Sequence, residues 1–319
     1  MRFAVTGSSG FVGRHLVQRL VAAGHEVACI SRHGAPEVRG TVSWGVNDYR
    51  DESSLARAFA GAQVVIHLAA RAHAPDLGPG PAADRAWHEA NVLSALAAAR
   101  AAKSAGCRRF VLVSSIGVNG NRTSGRPFTA DDTPAPQEAY ARSKLQAEQA
   151  VWQLLLGGDT AAVVVRPPLV YGPGCPGNFA QLVRLVQRWP IVPLGGLRQR
   201  RSLIGVHNLC GALVSASTHP DCPGHTFVLC DGEDVDVATL TRLIAVGLGL
   251  GEARIVDVPQ SLLRGAARLL GRGSAFDKLA GELLVDGSAF CKLTGWQAAL
   301  TLADGVKATA RSFAPPFWP

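Results

Sequence analysis

The sequence contains no run of about 18 apolar residues, so no membrane-crossing helix is predicted. Its seven cysteines form no C-x-x-C pair. That spacing argues against a zinc site or a disulfide frame and for reduced thiols, so a cytoplasmic setting without a metal is expected. The first residues run directly into a charged strand-like segment rather than an apolar leader, so no signal peptide is expected. There is no internal repeat and no low-complexity linker, and residues 78–81 (GPGP) read only as a local loop. The net charge is +8, yet the arginines are spread along the whole chain and no basic block interleaves with aromatics. Nucleic acid is therefore not an expected partner, and several arginines are expected to face a phosphorylated small molecule.

What is present is a folded enzyme's composition, with 319 residues, 47% apolar and 18% charged. Residues 1–13, MRFAVTGSSGFVG, organise the rest. A short apolar strand at 2–6 leads into glycines at 7, 10 and 13, and an amphipathic helix follows over 15–23. A strand, a glycine turn and a helix N-terminus make a phosphate cradle. In that order the first glycine permits the turn, the second lets backbone approach a pyrophosphate, and the third lets helix and strand pack closely.

Strand-like and helix-like segments alternate downstream. Strands are predicted at 26–30, 63–68, 109–114 and 161–166, and helices at 53–60, 83–105 and 139–156. Continuous apolar strands in this rhythm predict a doubly wound, Rossmann-type α/β fold with helices on both faces of a parallel sheet. After about residue 170 the rhythm loosens into a loop-rich stretch at 171–177, a helix at 179–188, a basic loop at 191–201 and a helix near 237–248. The expected organisation is a dinucleotide-binding domain over 1–170 and a smaller mixed lobe over 171–319 that mainly supplies a substrate pocket.

Tyr140 and Lys144 lie four apart in AYARSK, on one face of a predicted helix. Ser114 and Ser115 end the strand RFVLVSS, and in a parallel sheet the carboxyl ends of strands border the ligand crevice. An ammonium one turn away is expected to lower the Tyr140 phenol pKa and make it a proton donor and acceptor near neutral pH. Ser115 is placed to hold a substrate oxygen.

Together these residues resemble the extended short-chain dehydrogenase/reductases of the NAD-dependent epimerase/dehydratase family, in its nucleotide-sugar 4-epimerase and 4-ketoreductase group. The similarity runs over nearly the whole chain. It is carried by TGSSGFVG, Asp48 and Asp51 in NDYRD, HLAA at 67–70, Asn91, Ser114 and Ser115, YARSK, RPPLVYGPG at 166–174, Asn178, and RSLIGVHNL from Arg201. The resemblance implies that Gly7, Ser9, Gly10, Phe11, Val12 and Gly13 hold the cofactor pyrophosphate. It implies that Asp48 meets the adenine amino group, that Leu68, Ala69 and Ala70 line the cofactor, and that Asn91 belongs to the proton-relay region beside it. Pro167 is placed by the nicotinamide. Tyr140 becomes the acid/base, Lys144 its partner on the nicotinamide ribose, and Ser115 the third catalytic group. Asn178 and Arg201 are matched to contacts with a sugar-nucleotide diphosphate, so a UDP-sugar is the expected partner. A homodimer is implied as well.

The chain departs from that pattern at three places. The second strand ends Ser31-Arg32-His33 without the carboxylate that binds the NAD ribose, and Arg32 can meet a 2′-phosphate, so NADP or NAD is the expected cofactor, with Ser31 serving the ribose in the NAD case. Asn119 replaces a tyrosine, and Pro168-Leu169 replaces an Asn-containing sequence. In these departures the chain resembles the bacterial 4-ketoreductases that finish 6-deoxy-N-acetylhexosamine nucleotides for surface polysaccharides, which implies a 4-keto-6-deoxy-N-acetylhexosamine 4-reductase. The alternatives are a UDP-hexose or UDP-N-acetylhexosamine 4-epimerase with bound NAD, a steroid- or flavonoid-type reductase, and a dinucleotide sensor without catalysis. Residues 262–272 (LLRGAARLLGR) form a basic amphipathic stretch, read first as a helix packed on the C-terminal lobe and second as a peripheral membrane contact.

Overall fold

The computed structural model describes residues 1–32, 40–72, 80–189, 191–250, 255–269, 271, 273, 276 and 280–313. Of the positions singled out above, His33, Gly78, Pro79, Leu270 and Arg272 lie outside the described residues.

The apolar strands assemble as a parallel sheet. Strands β1 (Arg2–Thr6), β2 (Glu26–Ser31), β3 (Thr41–Gly45), β4 (Val64–His67), β5 (Arg109–Val113), β6 (Ala161–Arg166) and, after the three-residue β7 (Leu169–Tyr171) and β8 (Arg200–Gly205), β9 (Thr226–Val228) take part. The large sheet has seven strands in the order β3-β2-β1-β4-β5-β6-β9. Its neighbours are parallel throughout, with Val5 opposite Cys29 on one side and Ile66 on the other. Helices α1 (Phe11–Ala22) and α7 (Val206–Thr218) cover one face, burying Leu16, Val17 and Leu20 against Leu209 and Leu213. Helices α2 (Glu52–Phe59), α4 (Ser94–Ser104) and α5 (Ala139–Leu155) cover the other through Leu55, Phe59, Val151 and the alanines of α4. Small alanine side chains let α4 approach the sheet closely. This is a Rossmann-like fold, and the reversal of strand order between β1 and β4 is where such sheets open a ligand crevice.

Residues beyond 170 return to the large sheet through α7 and β9. The second, mixed sheet has the order β10-β8-β7, with β10 (Asp234–Asp236) antiparallel to β8. It packs with α6 (Gly177–Arg188), α8 (Val237–Gly247) and the helix Leu302–Arg311 around Phe179, Val183 and Ile244. A buried node joins the two layers. Tyr171 Oη donates to Asp231 Oδ2 at 2.7 Å, and the same carboxylate accepts the Gly205 N–H and Asn208 Nδ2 at 2.8 Å. Asn208 also pairs with both backbone groups of Leu300, which fixes the approach to the last helix.

All seven cysteines are unpaired, and six are buried. Helix α9 (Gln260–Leu269) turns Leu263 and Ala267 to the lobe's core and leaves Leu262 and Leu269 65% and 90% exposed. No helix among the described residues is long and apolar enough to cross a membrane.

Candidate active site

The glycine turn after β1 is shaped by contacts that no side chain can share. Gly7 has φ +70°, and a Cβ there would lie 2.8 Å from the Ala69 backbone nitrogen. A Cβ on Gly13 would overlap the Gly7 carbonyl oxygen and come within 2.8 Å of Ser8 Cα. The Gly7 N–H donates to Tyr49 Oη at 3.1 Å, and that hydroxyl donates to the Ile30 carbonyl at 3.2 Å. Ser8 Oγ reaches the same carbonyl at 3.2 Å, so the turn is tied to the end of β2. Gly10 starts α1 without a side-chain cap, and Ser9 and Gly10 are exposed while Phe11 and Val12 are half-buried. First-turn amides without a side-chain acceptor, at the positive end of the helix dipole, suit a pyrophosphate.

At the end of β2, Ser31 is fully buried and its Oγ has no hydrogen-bond partner. Arg32 is exposed and its charge reaches the Tyr49 phenol beside the glycine turn. Asp48 accepts from Arg50 Nε and backbone N, each at 2.8 Å, and this guanidinium holds its carboxyl below the usual range. The cap of α2 is Asp51, which accepts the Ser54 N–H at 3.1 Å.

Across the crevice, Leu68 N donates to the Thr6 carbonyl and Ala69 N to Thr6 Oγ1, while Ala70 is exposed. Asn91 lies in a π-helical segment, His88–Leu93, between α3 (Pro81–Trp87) and α4. Asn91 is buried there, and π-helical turns are frequent at functional sites. Its Oδ1 accepts the Arg71 N–H at 2.8 Å, and its Nδ2 donates to the Arg71 carbonyl and to Ser143 Oγ at 2.8 Å. Asn91 therefore anchors the loop after β4 to α5.

Ser115, Tyr140, Lys144 and Pro167 meet at the carboxyl ends of β5 and β6. Ser115 caps the turn Ile116–Val118 through the Gly117 N–H, and the Ile116 N–H donates to the Pro167 carbonyl at 2.9 Å. Tyr140 packs edge-on against Trp87, with ring centroids 5.7 Å apart, and Ser115 hydrogen-bonds its phenol. The expected lowering of that phenol pKa is not what the structure gives. Burial pushes Tyr140 up to about 12, with the Ser115 hydrogen bond opposing it. Lys144 is buried and is itself pushed down to about 8 by desolvation, with the Glu148 charge opposing that. Desolvation of the charged form is thus the largest cause at both groups. His67, at the end of β4, is buried beside Lys144 and held neutral: desolvation first, then the lysine charge, push it down to about 3. Its Nδ1 pairs with Thr6 Oγ1 at 2.9 Å, and its Nε2 has no partner.

The residues matched to a diphosphate contact lie in the second lobe. Asn178 is exposed in the first turn of α6. Arg201 is half-buried on β8, donates Nε to the Gly281 carbonyl at 2.9 Å, and feels the charge of Arg122. Arg122, Tyr49 and Trp87 were not among the residues picked from the sequence. Tyr49 stood inside the NDYRD segment, but nothing in its neighbours marks a tyrosine that returns to the glycine turn.

A cradle that a Cβ would fill, free first-turn amides and an unpartnered Ser31 hydroxyl together fit a dinucleotide. The comparisons agree. The family described as "NAD dependent epimerase/dehydratase family" matches residues 3–230. A UDP-glucose 4-epimerase of Vibrio cholerae is 34% identical over 97% of this chain and 94% of its own length. A GDP-6-deoxy-D-mannose reductase of Pseudomonas aeruginosa is 27% identical over 96% and 95%. The crystal structure of a UDP-glucose 4-epimerase with UDP-glucose from Thermotoga maritima superposes with a TM-score of 0.78 at 21% identity, covering 98% of each chain, and so shares the fold. With more than two thirds of its length matched by the family model and a whole-length relative above 30% identity, this chain is a member of the NAD-dependent epimerase/dehydratase family.

Proposed function

We propose that the protein moves a hydride between a nicotinamide dinucleotide and C4 of a UDP-sugar, with residues 1–170 holding the dinucleotide and 171–319 mainly the sugar nucleotide. The observation that carries this is the meeting of Ser115, Tyr140 and Lys144 at the strand ends beside the glycine cradle. The bound cofactor supplies or takes the hydride. Gly7, Ser9, Gly10 and Gly13 would hold its pyrophosphate through backbone, and Ser31, Arg32 and Asp48 its adenosine half. Leu68, Ala69, Ala70 and Pro167 would wall the crevice, with Asn91 fixing the loop. Lys144 would hold the nicotinamide ribose.

Tyr140 moves the hydroxyl proton. A phenol as high as about 12 stays protonated near neutral pH and is suited to protonating an alkoxide that forms at C4. Ser115, already hydrogen-bonded to that phenol, would hold the same oxygen. Asn178 and Arg201 would take the diphosphate, Arg201 by a charge-assisted hydrogen bond.

The first reading is reduction of a 4-keto-6-deoxy-N-acetylhexosamine nucleotide by NADPH, supported by the missing carboxylate at the end of β2 and by Arg32. The second is 4-epimerisation with resident NAD, supported by the whole-length likeness to the Vibrio cholerae 4-epimerase. Incubation with each sugar nucleotide and reduced cofactor separates them. Net consumption of NADPH with a 4-keto sugar supports the first. Interconversion of two UDP-hexoses without net consumption supports the second, and neither result in any combination removes both.

A further inference from the structure

Behind Lys144 lies a buried charge cluster that the chemistry above leaves without a role. Glu148 follows Lys144 by one turn of α5, and both are about 2% exposed. The Glu148 carboxylate accepts three contacts from two nitrogens of Arg166, the last residue of β6. Nε reaches Oε1 at 3.0 Å and Oε2 at 3.2 Å, and Nη2 reaches Oε2 at 2.6 Å. The remaining arm of the guanidinium, Nη1, donates to Asn119 Oδ1 at 3.1 Å. Asn119 is held in turn by its own Nδ2, which donates to the Thr129 carbonyl at 2.7 Å.

The three elements so joined are those that carry the candidate chemistry. Helix α5 carries Tyr140 and Lys144. Arg166 directly precedes Pro167. Asn119 ends the turn that Ser115 begins. We propose that the Glu148–Arg166 pair, clasped by Asn119, is a positioning device that keeps Lys144 charged and seated in the cofactor crevice. This rests on the reading of Lys144 as the ribose-side partner of Tyr140.

A buried ion pair is weak evidence for stability, because desolvation offsets most of the attraction. Its value here lies in placement. The groups that face Lys144 are His67 from β4, Tyr140 and Glu148 from α5, and Arg166 from β6 behind Glu148. His67 is neutral and Tyr140 is protonated, so among the described residues Glu148 is the anion whose charge acts on the ammonium. Arg166 fixes that anion's place through both carboxylate oxygens. Asn119 keeps Arg166 from turning away, a task for which a compact amide suffices where the family pattern has a tyrosine.

The test reads Lys144 directly, by NMR titration of the intact apoprotein with 13C at lysine Cε. Only five lysines are present, so a Lys144→Met spectrum assigns the resonance. In wild type it is expected to titrate near 8, as burial against the Glu148 charge sets it. In Glu148→Gln the midpoint should fall by about one pH unit or more, since an anion at this range is worth one to three units. If the lone buried Arg166 prevents that variant from folding, Glu148→Gln/Arg166→Met removes both charges and should give a smaller fall in the same direction, because the repulsion of the guanidinium goes with the attraction of the nearer carboxylate. In Asn119→Ala the Lys144 midpoint should shift and the resonance broaden, which a merely packing role would not produce. An unmoved midpoint in the glutamate variants overturns the inference. The titration needs no substrate, so it can succeed or fail whether or not a UDP-sugar is turned over.

Discussion

Gly13→Ala probes the cradle where its geometry is tightest. The added methyl would stand 2.8 Å from both Ser8 Cα and Ser8 O, and closer still to the Gly7 carbonyl oxygen. Carbon atoms attract at about 3.5–4.0 Å, so α1 must retreat from the turn by about 0.7 Å or more. All three neighbours are backbone, so no side chain can swing aside. Overpacking of this kind costs about 1–3 kcal/mol. The same retreat carries the first-turn amides away from a bound pyrophosphate, and losing one charge-assisted hydrogen bond of about 1.5–3 kcal/mol weakens binding roughly ten- to a hundredfold. Thermal melting and a fluorescence titration with reduced cofactor measure the two effects. Gly24→Ala is the control: its φ is +77° but nothing lies within 4 Å of the new Cβ, so it carries backbone strain without touching the cradle. Cofactor affinity within twofold of wild type in Gly13→Ala would refute the reasoning.

Three further outcomes follow from the geometry. Arg32→Ala should weaken NADPH about tenfold or more while sparing NADH, because a 2′-phosphate loses a charge-assisted contact; a preference for NADH unchanged by the substitution returns weight to the epimerase. Arg201→Ala should raise the KM for the UDP-sugar more than it alters kcat, as expected for a contact made equally in ground and transition states, and an unmoved KM would make Arg201 structural only. His67 sets an acid limit on stability: its folded pKa of about 3 lies below the usual imidazole value of 6.5, so below 6.5 the unfolded chain binds the proton first. That contribution is intact above pH 6.5 and declines by about 1.4 kcal/mol per pH unit on acidification towards 3. His67→Gln should flatten that limb in urea melts between pH 7.5 and 5, and an equal slope in both proteins would contradict it.

The parallel sheet was legible because its strands are apolar on both faces, and the cradle because Gly7, Gly10 and Gly13 sit between a strand and a helix. The edge strand β3 was missed because TVSWG is mostly exposed and carries no apolar run. The single helix expected over 83–105 is interrupted by a π-helical turn that contains Asn91 and that periodicity does not reveal. The Tyr140 environment was misjudged because sequence spacing reports that Lys144 is near and says nothing of desolvation. Asn208, inside a recognised segment, turned out to tie Asp231 to Leu300, a long-range role that no local pattern carries.

The central claim is that a hydride passes between the nicotinamide and C4 of the sugar while Tyr140 moves the proton. It is tested most directly by a single-turnover reaction of the protein with a UDP-4-keto sugar and reduced cofactor deuterated on its nicotinamide, followed by mass spectrometry and NMR of the sugar. The account predicts deuterium at C4 in wild type, and the same product formed about 10²–10⁴ times more slowly by Tyr140→Phe with cofactor affinity preserved. Deuterium absent from C4, or a Tyr140→Phe rate within a few-fold of wild type, would contradict it.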